Sequence, residues 1–425
     1  MINRRFFVKS ISLISSSLIA SLAYKPYGYS ADNSFKLKGK KILLRSSWQT
    51  VNIGDIGHTP GVLHLLEKYM PDVEVRLWAG DVGNGVKELL LKRFPKLEIF
   101  TSSNTDAVQR AFNECNFLLH GSGPYLVAEK DVEKWKNETR KPYGIYGITY
   151  NDSNASANTN YLLSNAQFIF FRDSYSLNYA KSLGVNSNTM IFGPDGAFAV
   201  DTYNEKAARS FLSENQLEEG KFLCVIPKYR YTPYWLIPSK NRPFDAPKDA
   251  INQAFKEHDH KALREAIIAV VTKTDLKILI VPEDETQVAI GKDMLYDPLP
   301  DEIKKRVVWR KKNWLTDESN STYKLSSGVF GNEMHSPIMS VGNGIPAIVC
   351  RFKEQTSKGI MWRDIGLGDW LFDLDIETEI EGIVPAVLEM AQNPRKAKEK
   401  VNKAKQNVEN HQAETMKVII NILNQ

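Results

Sequence analysis

Residues 41–70 read KILLRSSWQTVNIGDIGHTPGVLHLLEKYM and carry the pattern on which the fold class rests. Lys41 to Arg45 is an apolar run of strand length, and a glycine-rich segment from Trp48 to Gly61 follows it. Apolar residues then recur at helical spacing from Thr59 to Met70, which predicts a helix with Pro60 near its first turn. A strand, a glycine-rich turn and a helix in this order are typical of a parallel α/β unit.

The same alternation continues along the chain in two sets. Residues 201–220 are charged and contain no strand-like run, so we place a junction between two doubly wound α/β domains there. We expect two Rossmann-like domains at residues 40–200 and 215–392, facing a cleft, and a C-terminal helix at 393–425. Residues 231–249, rich in proline and aromatics, are predicted to form a long loop over the second domain. The predicted strands are Lys41–Arg45, Val73–Trp78, Leu97–Phe100, Asn116–His120, Tyr143–Tyr150, Phe168–Phe171, Met190–Phe192, Phe222–Ile226, Leu276–Val281, Arg306–Trp309, Gly328–Phe330 and Ile345–Cys350.

Composition argues against several classes of function. Apolar residues make up 42% of the chain and charged residues 25%, which is typical of a globular protein. The net charge of +5 is spread without a block of like charges, so a nucleic-acid partner is not expected. The chain has three cysteines, each in or beside an apolar run, and this odd number argues against a disulfide framework. No Cys/His spacing resembles a zinc site, and we expect neither a metal nor a cofactor.

The N-terminus has the features of an export signal. Arg4 and Arg5 precede a mildly apolar stretch from Ile11 to Tyr24, which is typical of a twin-arginine-type signal. We interpret residues 1–31 as this signal and a linker, which predicts a periplasmic or otherwise exported protein. The apolar stretch is shorter than the roughly 20 residues that span a bilayer, so no stable membrane span is expected. The alternative is a basic tail on a cytoplasmic protein.

Two candidate ligand-binding loops follow the first and fourth predicted strands. In the first, free N–H groups and the positive end of a helix dipole suit an anion, and its candidate residues are Asn52, Gly54 and Asp55. A tight turn in which Asp55 bonds its own backbone is the alternative. In the second, two glycines let a ligand approach the backbone closely, or simply form a turn. Its candidate residues are Gly121, Ser122 and Gly123.

Charged residues follow the sixth and seventh predicted strands. Arg172 is expected at the rim of the cleft, where a guanidinium can hold a carboxylate or phosphate through two hydrogen bonds. The alternative is an ion pair between Arg172 and Asp173 or another acid. Asp195 lies near the crossing between the domains and is counted among the candidate substrate-binding residues. It is predicted to be a turn residue, with a catalytic base as the alternative.

His335 is the candidate acid/base residue of the second half. A helix predicted from Ser336 places His335 at a helix N-terminus beside Glu333, whose carboxylate is expected to orient the imidazole and raise its pKa. An acid/base or ligand-binding role follows, with a structural histidine as the alternative.

Other strand ends of the second half also carry charge. Lys353 and Lys358 follow the last predicted strand and can receive an anionic group, although a solvated loop is equally compatible with them. The segments that contain Lys228 and Glu283 end earlier strands, and both are compatible with solvated loops.

The order of these motifs resembles the polysaccharide pyruvyl transferase family. The matching segments lie within residues 45–370 and are Asn52–Asp55, Gly121–Pro124, Arg172–Ser176, Gly193–Asp195 and His335–Pro346, followed by Lys353 and Lys358. The resemblance implies a fold similar to GT-B glycosyltransferases, phosphoenolpyruvate as donor and a glycan acceptor with two neighbouring hydroxyls. Its products would be a pyruvyl ketal and phosphate, with His335 as acid/base and Arg172 as donor clamp. The chain departs from the family at Glu333, where an arginine is common.

Two other functions are compatible with the same residues. A different glycan-active transferase or a glycan-cleaving enzyme would use Glu333 and His335 as an acid/base pair. An exported glycan-binding protein without catalysis is the third hypothesis.

Overall fold

The computed structural model describes residues 37–425, so the predicted export signal lies outside the described residues. Two parallel sheets flanked by helices form two Rossmann-like domains, which confirms the predicted fold class. The domain limits given above remain predictions. No helix within residues 37–425 is both long enough and apolar enough to cross a membrane.

The first sheet contains the strands β1 (Lys41–Ser46), β2 (Glu74–Ala79), β3 (Glu98–Thr101), β4 (Phe117–His120), β5 (Tyr143–Ile148), β6 (Ile169–Phe171) and β7 (Met190–Phe192). Their order is β3-β2-β1-β4-β5-β6-β7, and all neighbours are parallel. The helices of this half are α1 (Ile53–Tyr69), α2 (Val86–Arg93), α3 (Thr105–Glu114), α4 (Glu129–Thr139), α5 (Ala157–Asn165) and α6 (Ser174–Ser182).

The second sheet contains β8 (Phe222–Ile226), β9 (Lys277–Ile280), β10 (Val307–Trp309), β11 (Gly328–Gly331), β12 (Ala347–Arg351) and β13 (Leu371–Asp373). Their order is β10-β9-β8-β11-β12-β13, again parallel throughout. Only β13 lacks a counterpart among the predicted strands. The remaining helices are α7 (Glu205–Glu214), α8 (Ala246–Lys273), α9 (Thr286–Ile290), α10 (Asp301–Lys304), α11 (Thr316–Leu325), α12 (His335–Gly342), α13 (Met361–Asp364), α14 (Glu377–Gln392) and α15 (Pro394–Leu423).

Helix α1 begins six residues earlier than predicted, at Ile53. The side chain of Asn52 caps it by accepting hydrogen bonds from the backbone N–H groups of Gly54 (2.8 Å) and Asp55 (3.2 Å). Pro60 therefore lies inside the helix and not in its first turn, which corrects the prediction. The capping asparagine was overlooked because the glycines that follow it favour a turn.

The two halves are in close contact at the floor of the cleft. The backbone N–H of Ile53 in α1 donates to the carbonyl of Glu283 at 2.9 Å, and the hydroxyl of Thr316 donates to the carbonyl of Ile53 at 2.7 Å. Ile53 and Phe198 from the first half belong to the apolar core of the second half. The helix α1 therefore carries its N-terminal residues directly against the second domain.

The C-terminal helix α15 packs on both halves. It has 30 residues and is about 45 Å long. Its first part contributes Ala397, Val401, Ala404 and Val408 to the core of the second half. Its last part contributes Met416, Ile419 and Leu423 to the core beneath the first sheet.

Candidate active site

A cavity of about 1340 Å³ opens between the two domains. Residues of both halves line it, among them Asp55, Arg172, Glu333, His335 and Lys358. These residues follow the carboxyl ends of β1, β6, β11 and β12, which is where ligands bind in parallel α/β sheets. The cavity is therefore the candidate active site.

His335 begins helix α12 and is held by a buried carboxylate. Nδ1 of His335 lies 3.2 Å from Glu283, which also accepts hydrogen bonds from the backbone N–H and hydroxyl of Ser336 at 2.8 and 2.7 Å. The predicted partner, Glu333, is not the residue that orients His335. Burial, reinforced by the nearby Lys358, lowers the pKa of His335 well below its ordinary value, whereas a raised pKa was predicted.

Lys358 fixes the tautomer of His335. Its Nζ lies 2.9 Å from Nε2 and 3.2 Å from Nδ1 of the imidazole. Since an ammonium group can only donate, Nε2 must carry a lone pair, and Nδ1 then donates its proton to Glu283. Burial lowers the pKa of Lys358 to about 8, with a further contribution from the positive charge of Arg172.

Asp195 joins Arg172 to a second histidine at the back of the cavity. Its carboxylate lies 2.8 Å from Nη1 of Arg172 and 2.8 Å from Nδ1 of His58. Arg172 also donates from Nε to the hydroxyl of Thr149 at 2.6 Å. Burial opposes the ionisation of Asp195, but His58 and Arg172 outweigh it and hold the pKa of Asp195 well below its ordinary value.

This arrangement changes what was expected of both charged residues. Arg172 is buried and paired with Asp195, so it does not lie on the rim, although it still lines the cavity. Asp173, the alternative partner, instead caps helix α6. Asp195 does accept a turn hydrogen bond from the backbone of Ala197, as predicted, but it also forms an ion pair with Nη1 of Arg172.

His58 points an unused ring nitrogen toward the candidate catalytic residues. The side chain is fully buried, and Nε2 has no hydrogen-bond partner among the described residues. This nitrogen lies 3.8 Å from the carboxylate of Asp55, and the ring meets that of His335 edge-on at 4.9 Å. Burial works against the ionisation of Asp55, but His335, His58 and Lys358 lower its pKa.

Asp55, His58 and His335 have potential metal-ligand atoms within 4.8 Å of one another. The ammonium of Lys358 already lies against both ring nitrogens of His335, and its charge repels a metal ion. The pocket therefore favours an anionic ligand over a cation.

The first predicted ligand loop forms the support of His335. A Cβ added to Gly54 would lie 2.1 Å from the Cβ of His335, so only glycine allows this approach. The amides that were expected to bind an anion are already bonded to the side chain of Asn52. Asp55 lines the cavity and accepts a hydrogen bond from Gln49.

The second predicted ligand loop packs against protein. Gly121 lies against Ser46 and Gly123 against Trp48, whose indole N–H donates to the carbonyl of Ser122 at 2.7 Å. The hydroxyl of Ser122 lies 2.7 Å from Nδ1 of His58. Ser122 therefore positions His58, and none of Gly121, Ser122 and Gly123 lines the cavity.

The sequence matches one known family over most of its length. Residues 10–353 match the family described as polysaccharide pyruvyl transferase. The chain belongs to the polysaccharide pyruvyl transferase family. No curated protein matches its sequence.

Solved structures share the fold of this family member at low identity. The UDP-GlcNAc 2-epimerase from Neisseria meningitidis has a TM-score of 0.56 and 10% identity, over 90% of this chain and 100% of its own. The S. aureus MnaA structure with UDP has a TM-score of 0.54 and 10% identity, over 87% and 92%. Anabaena HepE with UDP and glucose has a TM-score of 0.52 and 11% identity, over 88% and 95%. These similarities establish a GT-B-like fold.

Glu333, at the position where the resemblance implied an arginine, has its own cation. The carboxylate binds the ammonium of Lys228 and accepts a hydrogen bond from Gln287 at 2.7 Å. Burial, followed by the charge of Glu283, raises the pKa of Glu333. The lysine at 228 therefore offsets the acid at 333, and neither residue belongs to a solvated loop.

Lys353 is the one predicted substrate-binding residue on the outside of the molecule. Its side chain is exposed and absent from the cavity lining, while its backbone N–H donates to Asp375. Lys358, five residues later, enters the site because two short turns bring the chain back over β12.

Sequence reasoning missed His58 and undervalued Glu283. His58 follows Asp55 by three residues, so the two share one face of α1, a spacing that becomes informative once the helix start is known. Glu283 lies three residues after the buried strand β9, so it also belongs to a segment that follows the carboxyl end of a strand.

Proposed function

We propose that the protein transfers a pyruvyl group from phosphoenolpyruvate to two neighbouring hydroxyls of a glycan, which yields a cyclic ketal and phosphate. One observation carries this proposal: a histidine with a fixed tautomer lies between a buried carboxylate and a lysine, in a cavity that an arginine also lines. A trianionic donor suits this set of cations, and its charge raises the pKa of His335 on binding.

The residues then have separate tasks. Lys358 and Arg172 hold the carboxylate and phosphate of the donor. Once the bound donor has raised its pKa, His335 takes up a proton at Nε2 and gives that proton to the methylene carbon, which becomes the methyl group of the product. The first glycan hydroxyl bonds to the central carbon, phosphate leaves with the electrons of its C–O bond, and the second hydroxyl closes the ketal. Each hydroxyl loses one proton. One of these two protons replaces the proton that His335 donated, and the other protonates the phosphate.

The alternative based on a Glu333–His335 acid/base pair has less support. Glu333 is bound to Lys228 and Gln287, and the carboxylate on His335 belongs to Glu283. Because other glycan-active transferases use a nucleotide sugar as donor, the affinity for UDP-glucose is compared with the affinity for phosphoenolpyruvate.

Donor binding is expected to weaken above pH 8. The pKa of Lys358 is lowered to about 8, so the ammonium loses its proton above this value and the affinity for phosphoenolpyruvate falls about tenfold per pH unit. Calorimetric titration with phosphoenolpyruvate at several pH values between about 6 and about 10 measures this dependence. In Lys358→Arg the guanidinium stays charged, and the decline should disappear.

Two results would contradict the proposal. One is an affinity for phosphoenolpyruvate that does not change with pH in the unaltered chain. The other is a preference for UDP-glucose over phosphoenolpyruvate, which would favour a nucleotide-sugar transferase.

We also propose that the chain is exported through its twin-arginine-type segment. The described cysteines, Cys115, Cys224 and Cys350, are buried and free, which is compatible with folding in a reducing cytoplasm before transport. Replacing Arg4 and Arg5 together with lysine is expected to retain the protein in the cytoplasmic fraction. Cell fractionation followed by immunoblotting measures this, and equal export of both forms would overturn it.

A further inference from the structure

An aromatic arm overhangs the cavity from the second domain. We define the arm as residues 232–244, between β8 and α8. It is anchored at one end by Asn252, which exchanges two hydrogen bonds with the backbone of Tyr231 at 2.9 and 2.8 Å. At the other end Asp245 caps α8 by accepting from the N–H of Lys248. Ile237, in its middle, is buried. The arm is therefore a built part of the cleft.

The arm presents aromatic faces to the cavity. Tyr234, Trp235 and Phe244 line it, and the rings of Trp235 and Phe244 meet edge-on at 5.5 Å. Phe244 is 63% exposed and Tyr234 40% exposed, while Tyr125 on the opposite wall is 45% exposed. Exposed aromatic side chains that gather at one opening mark a binding surface, because their exposure to water is unfavourable.

The wall opposite the arm is polar. Glu129, Asn151, Ser153 and Asn154 of the first domain line the same cavity. Aromatic faces on one side and amides with a carboxylate on the other match a pyranose ring, which has apolar C–H faces and a rim of hydroxyls. The cavity of about 1340 Å³ exceeds the roughly 300–1,000 Å³ of ordinary small-ligand pockets, so it has room for several such rings.

Two cations at the tip of the arm have no counter-charge. The side chains of Lys240 and Arg242 make no hydrogen bond or ion pair with any of residues 37–425. They line a recess of about 470 Å³ that shares Asp55, His335 and Lys358 with the main cavity. Other cations nearby are compensated, since Lys248 pairs with Asp245 and Arg230 with Asp259. The two unpaired charges favour a ligand that carries an anionic group at this point.

We propose that the aromatic arm is the acceptor site and binds an acidic oligosaccharide. Pyranose rings stack on Tyr234, Trp235 and Phe244, and the carboxylate of a uronic acid is held by Lys240 and Arg242. The inference rests on the proposed function in one respect: the bound chain leads toward His335, where the pyruvyl group is added.

Calorimetric titration of the full chain without any donor tests the arm. The probes are a hyaluronan tetrasaccharide, which contains glucuronic acid, and chitotetraose, which is a neutral chain of N-acetylglucosamine. We expect hyaluronan to bind more tightly, and the Trp235→Ala/Phe244→Ala variant to bind both probes roughly tenfold more weakly. The Lys240→Gln/Arg242→Gln variant should bind hyaluronan about fivefold more weakly and lose its salt dependence, with chitotetraose unchanged.

Leu236→Ala is the matched control, since Leu236 lies on the arm with 63% exposure but does not line the cavity. It should bind both probes as the unaltered chain does. Failure of both tetrasaccharides to bind, or equal binding by all variants, would overturn the proposal. Tighter binding of chitotetraose would overturn the acidic part.

The two proposals fail separately. The titration contains no phosphoenolpyruvate, so a chain that binds the tetrasaccharides through the arm but cannot bind the donor disproves only the pyruvyl transfer. A chain that binds phosphoenolpyruvate normally, with arm variants that bind glycans unchanged, disproves only the acceptor site.

Discussion

His335→Gln is expected to reduce the turnover of phosphoenolpyruvate with a glycan acceptor by about a thousandfold, since general acid catalysis contributes roughly 10²–10⁴. Glutamine is close in size and keeps polar atoms near Glu283 and Lys358, but it cannot give up a proton near neutral pH. The folded structure and donor affinity should change little. Phosphate release measured at saturating donor gives the loss in kcat.

Two further variants show whether the loss comes from proton transfer. Glu283→Gln removes the negative charge that orients His335 and should lower kcat by about tenfold to a hundredfold, because the tautomer is then less well fixed. His411→Gln is the control, since His411 lies on α15 and contacts Phe192, away from the cavity. A His335→Gln variant that keeps more than roughly a tenth of the activity would rule out its role as the acid.

Asp195→Ala is expected to lower the free energy of unfolding by about 3–5 kcal/mol. Asp195 is fully buried and contacts both Arg172 and His58, so its removal leaves the guanidinium without a counter-charge inside the protein. Urea unfolding of the variant and the unaltered chain measures the difference. Asp201→Ala is the control, since Asp201 pairs with Arg93 and His64 at a partly exposed site and should cost no more than about 1 kcal/mol.

The effect of Asp195 should depend on pH in a definite direction. Its pKa in the folded protein is held well below the value of about 3.9 in an unfolded chain. The stabilisation is therefore complete above about pH 4 and is lost as the pH falls through the folded pKa. The difference in the free energy of unfolding between Asp195→Ala and the unaltered chain should become smaller only in acid. A difference in the free energy of unfolding that grows in acid, or one below about 1 kcal/mol at neutral pH, would contradict this account.

The fold could be predicted from local sequence patterns, but the contacts between the residues of the candidate site could not. Buried strands of three to six mostly apolar residues and the turns between them are local features, which is why nearly all strands were found. The start of α1 was missed because a single capping side chain, that of Asn52, outweighs the turn preference of the glycines after it. The strand β13 was missed because Asp369, Asp373 and Asp375 interrupt the apolar residues around it, so no apolar run of strand length is visible there.

The partner of His335 illustrates the limit. Glu333 is its neighbour in sequence, but Glu283, 52 residues earlier, is its partner in space. In the sheet only β8 separates β9 from β11, so the segments that follow these two strands meet at the same edge. The sequence motifs by themselves do not reveal this strand order. The contact between His58 and Asp195 arises in the same way, from loops of different strands.

The helix α15 also determines when the first half can be completed. Met416, Ile419 and Leu423 follow β7, the last strand of the first sheet, by more than about 220 residues, and they fill part of the core beneath that sheet. During synthesis these residues are still inside the ribosome, or have just been added, when every strand of that sheet has already emerged. The half that is translated first is therefore the half whose core is completed last. Removing residues 416–423 would leave an apolar gap in the core of that first half.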